Sequence, residues 1–344
     1  MFDLIPNEIK TVGAGAEYLH NDPSDISLFT QRGSVRRVPI EAVTSRVESY
    51  DYANGQAIEV CEPVPMSDYS ALQNTASGDV LNTRPITKSY KLVPHDELFG
   101  NHASILSGGD LPQTNIDVHD RIYDGGLRAH RTVYFNDLTA PIGDGSDVVR
   151  CRMDIFNSID MSWAFQIFSG AYRDLCRNTL VFGGQKSYHQ QQKHTKNLEP
   201  TALINKAAMG LEMWTGQVDQ MNKWRGAKLS NEQFGDILAQ SVCYKSGAAA
   251  EQGHVKPVNE RLFNYLMMLF QAEQRELGGT MWAAYNALTH WATHTNETYI
   301  GDKGQALQSG KAGASVHMVQ RKRNDNVRDV ITSPSWQYLE SLAA

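Results

Sequence analysis

Ile116-Asp117-Val118-His119-Asp120-Arg121-Ile122-Tyr123-Asp124-Gly125-Gly126-Leu127-Arg128-Ala129-His130-Arg131-Thr132-Val133-Tyr134-Phe135 reads as a β-hairpin. Ile116 to Tyr123 and Leu127 to Phe135 are short alternating runs, and a period of two is that of strands whose two faces meet different surroundings. The glycines between the runs allow the tight turn. The same pattern recurs toward the N-terminus, where Arg46 to Tyr52 and Gln56 to Cys61 flank Ala53-Asn54-Gly55. Toward the C-terminus, Val148 to Phe156 and Ser162 to Phe168 read as two more strands, separated by Asn157-Ser158-Ile159-Asp160. Between the hairpins, Pro94 followed by Asp96-Glu97 marks a helix start, with acids at the positive end of the dipole.

After Pro200 the period becomes helical. Ile204, Ala207, Leu211, Trp214, Val218 and Met221 recur alternately three and four residues apart, a single apolar stripe. Further helices are expected at Asn231 to Cys243, Val258 to Glu276, Thr280 to His294 and Ser335 to Leu342, with Gly278-Gly279 breaking the third from the fourth. The expected fold class is therefore α+β. Residues 1–198 form an antiparallel, hairpin-rich domain with one or two helices. Residues 199–344 form a helical domain with a basic loop over 301–328, mobile from Gly301 to Gly313.

Charge is segregated along the 344 residues. The chain carries −6 overall, yet residues 148–198 hold seven Lys/Arg against three acids and residues 303–328 hold six against one. Such clustering is the footprint of a protein that offers one face to a polyanion. Single-strand binding needs a cationic groove for phosphates and planar side chains on which bases stack. Both types are present. Arg128, Arg131, Arg150, Arg152, Arg173, Arg177, Lys186, Lys193 and Lys196 are the candidate phosphate contacts, with Arg321, Lys322 and Arg323 in the second basic run. Tyr134, Tyr172, Tyr188 and His189 are the candidate stacking residues. The expected partners are single-stranded DNA and further copies of the chain, with no membrane.

Catalytic motifs are incomplete. His290 and His294 have metal-ligand spacing with Glu297 beyond, but Trp291 stands where a zinc protease needs glutamate. Gly183-Gly184-Gln185-Lys186-Ser187 breaks the Gly-Lys-Ser order of a phosphate loop, and Gly13-Ala14-Gly15 lacks the third glycine of a dinucleotide fingerprint. Asp110, Asp117, Asp120 and Asp124 with His119 could assemble a nuclease-like cation site, and Cys176 with His189 a nucleophile and base. No catalytic residue, metal ligand or cofactor is assigned. A metal-dependent nuclease or nucleotide-processing enzyme is one alternative class, and a phage structural or host-interaction protein another. Four cysteines without a CxxC pair point to reduced, mostly buried thiols. The N-terminus, with no basic region and no long apolar run, fits a cytoplasmic protein.

Four ordered stretches carry a resemblance. They are Tyr90-Lys91-Leu92-Val93-Pro94-His95-Asp96-Glu97-Leu98-Phe99, Asp174-Leu175-Cys176-Arg177-Asn178-Thr179-Leu180, the His194-Thr195 step, and Thr280-Met281-Trp282-Ala283-Ala284-Tyr285-Asn286-Ala287-Leu288-Thr289. Over roughly residues 85 to 340 the chain resembles the phage/plasmid-like proteins, a domain-of-unknown-function family of bacteriophages, prophages and conjugative plasmids. It departs at Trp291-Ala292, where the family pattern has an acidic or aromatic pair. The resemblance implies a mobile-element setting and no established activity. Mobile elements commonly encode single-strand annealing proteins of the Red-beta kind, to which the chain is similar in coarse layout only. The resulting expectation is a non-enzymatic strand-annealing protein of recombination or replication.

Overall fold

A computed structural model describes residues 10–12, 16–21, 34–51, 53–100, 115–173, 178–181, 189–209, 214–243, 259–294 and 313–342. Antiparallel strands occupy mostly the N-terminal half and helices mostly the C-terminal half, the α+β arrangement that the change of period implies.

The main sheet grows outward from the hairpin. Its strands are β1 (Lys10–Val12), β2 (Ala16–Asn21), β6 (Ile116–Tyr123), β7 (Arg128–Ile142), β8 (Asp147–Ser158), β9 (Phe165–Arg173), β10 (Asn178–Val181) and β11 (His189–Gln192). They lie in the order β1-β2-β6-β7-β8-β9-β10, all antiparallel, with β11 pairing the remaining length of the β9 edge. The turn after β6 places Asp124, Gly125 and Gly126 at positive φ. That conformation penalises a Cβ, which explains the double glycine. Residues 189–192 form a strand because the far half of β9 offers backbone groups for them to pair with.

The second sheet is an arm. β3 (Val35–Asp51) and β4 (Gln56–Asn74) pair through Pro39 and Val47 bulges, while β5 (Ile86–Thr87) joins only at Tyr69 and Ser70. The hairpin expected around Asn54-Gly55 is therefore much longer than its apolar alternation indicates. Its root is held by Val35, Leu72, Ile86, Tyr90 and Ile159, packed as a small apolar cluster.

Helix 95–100 follows Pro94 as expected. The apolar stripe after Pro200 is carried by two helices, α1 (Pro200–Met209) and α2 (Trp214–Gly226), and residues 210–213 lie outside the described residues. The remaining helices are α3 (Asn231–Gln240), α4 (Glu260–Leu277), α5 (Met281–Thr293), α6 (Gly313–Ile331) and α7 (Pro334–Ser341). The basic stretch expected as a loop to residue 328 is thus helical from Gly313, and residues 301–312 lie outside the described residues. α5 is buried along its whole length except His290, Thr293 excepted at its end, which is the mark of a central helix apolar on all sides.

Ser230 starts α3 with a full capping box, its hydroxyl accepting from Gln233 N while the Gln233 side chain accepts from Ser230 N. Ser230→Ala should lower stability by about 0.5–2 kcal/mol in urea unfolding, since the Gln233 amide loses the hydroxyl that caps it.

One apolar core joins the halves. Val118, Val133, Met153 and Ile167 from the sheet pack with Trp224, Leu238, Phe270 and Leu288 from the helices. A polar stitch lies within it. Arg173 on β9 donates to Asp147 at 2.7 Å and to Glu273 on α4 at 3.0 Å, and Trp282 on α5 donates to Asp147 at 2.8 Å. Among the described residues, no helix is long and apolar enough to cross a membrane.

Candidate nucleic-acid interface

Strand register sorts the candidate residues onto two faces. Val118, Ile122, Ala129, Val133, Phe135, Cys151, Met153 and Ile155 point to the helices and belong to the core. The opposite face takes the other parity: His119 and Arg121 of β6, Arg128, His130, Thr132 and Tyr134 of β7, Arg150, Arg152, Asp154 and Phe156 of β8, and Phe168 and Tyr172 of β9.

Asp154 is the hub of that face. It accepts both Nε and Nη2 of Arg152 at 2.7 Å, Thr132 Oγ1 at 2.8 Å and His130 Nε2 at 2.7 Å. Burial would raise the Asp154 carboxyl, but the adjacent Arg152 guanidinium and the His130 hydrogen bond outweigh it and hold it well below the usual range. Burial pushes His130 down to about 4 against the opposing pull of Asp154, so the imidazole is neutral. Its ring lies flat on Phe156, with centroids 4.1 Å apart.

From this hub a strip of rings runs across the strands. Arg152 lies over the Tyr134 ring at 5.3 Å and donates to its hydroxyl at 3.3 Å. Tyr134 meets Tyr172 edge to face at 5.3 Å and His119 in the same manner at 5.2 Å. Toward the other end, Phe156 contacts Phe168 and Trp163, and Arg128 lies over Trp163 at 5.8 Å. Tyr134, Tyr172, His119, Phe156 and Phe168 are all half-buried.

The predicted cations divide into three groups. Arg131, Arg173 and Arg323 are internal. Arg131 is fully buried in a two-pronged pair with Asp120 at 2.8 Å and also donates to Phe99 O; Arg173 forms the stitch described above; Arg323 donates to Trp291 O at 2.7 Å over that indole. Their charges are satisfied within the protein. Arg128, Arg150 and Arg152 border the ring strip but already meet acids: Arg128 pairs with Asp124 and Asp160, and Arg150 lies 3.9 Å from Asp117. Lys193, Lys196 and Lys322 are exposed. The positions of Arg177, Lys186 and Tyr188, and the side chains of His189 and Arg321, lie outside the described residues.

The proposed cation cluster is not assembled from the acids that can be placed. Asp120 turns to the helices, Asp117 to the opposite face, and Asp124 to Arg128. Among the described residues no group of three His, Cys, Asp or Glu could hold a metal ion. His290 and His294 do adjoin, with ring centroids 4.3 Å apart, while Glu297 lies outside the described residues. Cys151 and Cys243 are buried, and Cys61 on the arm is exposed.

A family model described as a domain of unknown function, DUF932, matches residues 85–329. The chain belongs to the DUF932 family. Neither a curated protein nor a solved structure matches it. The DUF932 region contains the whole ring strip, and the stretches that carried the sequence resemblance lie within it. Tyr90 stacks on His194 at 5.0 Å, beside the isolated bridge between Tyr90 and Thr195. His95 is buried between Gly126 O and the Asn157 amide, and Trp282 anchors α5 to Asp147. Among these landmarks the placed side chains hold the DUF932 fold together.

Asp154, Thr132 and Phe156 are candidate site residues that sequence reasoning passed over, and His119 entered it only beside the acids of a cation site. Hairpin register was the available signal, because pairing Thr132 with Asp154 and His119 puts a hydroxyl, a carboxylate and an imidazole side by side.

Proposed function

We propose that this protein binds single-stranded nucleic acid, single-stranded DNA above all, across the sheet face that carries Tyr134 and Tyr172, and that it promotes strand annealing for a phage or plasmid. The observation that carries the reading is the unbroken ring strip of His119, Tyr134, Tyr172 and Arg152 on the face opposite the helices. Half-buried rings fixed by a buried ion pair are suited to take up bases without sequence preference, because every base has a π-face.

The arrangement also revises the electrostatics. Arg128, Arg150 and Arg152 share their surroundings with Asp117, Asp124, Asp154 and Asp160, so this face is close to neutral. Phosphate attraction then falls mainly to Lys193 and Lys196. Each phosphate neutralised on a single strand contributes about −0.7 to the slope of log affinity against log salt, so a slope of roughly −1.5 is expected instead of the steep one that nine cations would give.

Fluorescence anisotropy of a labelled oligothymidylate tests the proposal. Tyr172→Ala and Tyr134→Ala should each weaken binding by about 1–3 kcal/mol, roughly 5- to 150-fold. Mixing complementary oligonucleotides should give faster pairing with the protein than without it. Absence of oligonucleotide binding at 20 mM salt would end this reading.

A further inference from the structure

The arm is acidic and its root is basic. From Glu41 to Asp68 the sequence has six carboxylates, at 41, 48, 51, 59, 62 and 68, against Arg46 alone, a net of −5. Around the root stand Arg36, Arg84, Lys88 and Lys91, all exposed, with Lys193 and Lys196 continuing the patch beside the bridge between Tyr90 and Thr195. Among the described residues no carboxylate forms an ion pair with Arg84, Lys88, Lys193 or Lys196.

The arm extends as a ribbon. Among the described residues, 41–51 and 56–65, beyond β5, pair only with each other, a two-stranded ribbon reaching roughly 35 Å at about 3.3 Å per residue. Isolated two-stranded ribbons are marginal in water. Residues 61–69 are exposed throughout, Val64, Met66 and Tyr69 among them. The whole ribbon lies N-terminal to the residues that match DUF932.

We infer that the acidic arm of one copy docks on the basic root of a second copy, joining chains head to tail. Charge complementarity selects this partner. A polyanion is repelled by the arm, and two arms side by side would each bring −5. Edge-to-edge strand addition is obstructed as well, because Pro63 and Pro65 have no N–H to offer along β4. A contact between two different surfaces closes into a ring or continues as a filament, depending on the rotation it imposes.

The full-length chain, free of nucleic acid, provides the test through its mass by light scattering at 50 mM and 500 mM salt, so the outcome is independent of strand binding. At low salt the mass should be a multiple of the 38.3 kDa chain and should fall as salt rises. An arm variant, Glu41→Lys with Glu48→Lys, Glu59→Lys and Glu62→Lys, takes the arm from −5 to +3, and a root variant, Arg84→Glu with Lys88→Glu, Lys193→Glu and Lys196→Glu, takes the root from +6 to −2; each should run as a monomer. Mixing the two should restore the large species, because each then presents one sign on both surfaces. A monomeric native chain, assembly that survives the root reversal, or a mixture that stays monomeric would overturn the inference. If circular dichroism finds one variant unfolded, the chain with both reversals decides alone: assembly supports head-to-tail docking and a monomer refutes it.

Discussion

Arg131→Ala should destabilise the protein by about 3–5 kcal/mol, a large fraction of the stability of an ordinary domain. The guanidinium and its partner Asp120 are both fully buried on the helix-facing side of the sheet, with Phe99 O and the Phe99 ring completing its contacts. Removing the cation leaves a carboxylate in an apolar core with no counter-charge. Replacing both members, Arg131→Met with Asp120→Leu, should recover most of the loss, because neither desolvated charge then remains. Urea unfolding of the two variants measures both effects. A loss below 1 kcal/mol for Arg131→Ala would show that the pair is not closed to water.

Acid should weaken the fold well before its carboxylates titrate. Burial is the main cause that holds His95 and His130 each down at about 4, below the ordinary 6.5. Between those values the unfolded chain takes up protons that the folded chain refuses, so stability is complete above about pH 6.5 and declines as pH falls toward 4. Each imidazole contributes about 1.4 kcal/mol per pH unit across that window. Glu273, raised by burial, acts in the opposite sense and offsets part of the loss. Unfolding free energies from denaturant titrations at pH 7.5 and pH 5 should differ by a few kcal/mol, with the midpoint lower at pH 5, and His95→Gln should make the dependence shallower. Equal midpoints at the two pH values would contradict the burial of these rings.

The fold was legible wherever alternation and turn chemistry agreed. Asp124-Gly125-Gly126 fixed the central hairpin, and counting outward from it pairs Asp120 with Arg131, so that ion pair could have been read from register. Counting charge along the chain hid it, because a cation in a strand carries no mark of the face it takes. The arm was under-read for another reason: Pro63 and Pro65 interrupt the strand pattern, and residues 61–69 are exposed on both faces, so no apolar parity announces that strand. α6 was missed since Arg321, Lys322 and Arg323 look like a solvated run, although Arg323 turns inward onto Trp291. The ring strip was half visible. Tyr134 and Tyr172 stood out by type, whereas Thr132 and Asp154 acquire meaning only as neighbours across strands.

The stitch from Arg173 through Asp147 and Glu273 to Trp282 bears on how the polypeptide could be divided. A protease cut just before α1 would sever the backbone without parting the pieces, which would co-purify until denatured. Produced separately, each fragment would present a raw apolar surface and aggregate; produced together, they should reconstitute a soluble non-covalent complex, so the two halves are complements of each other and not modules that can be transplanted singly.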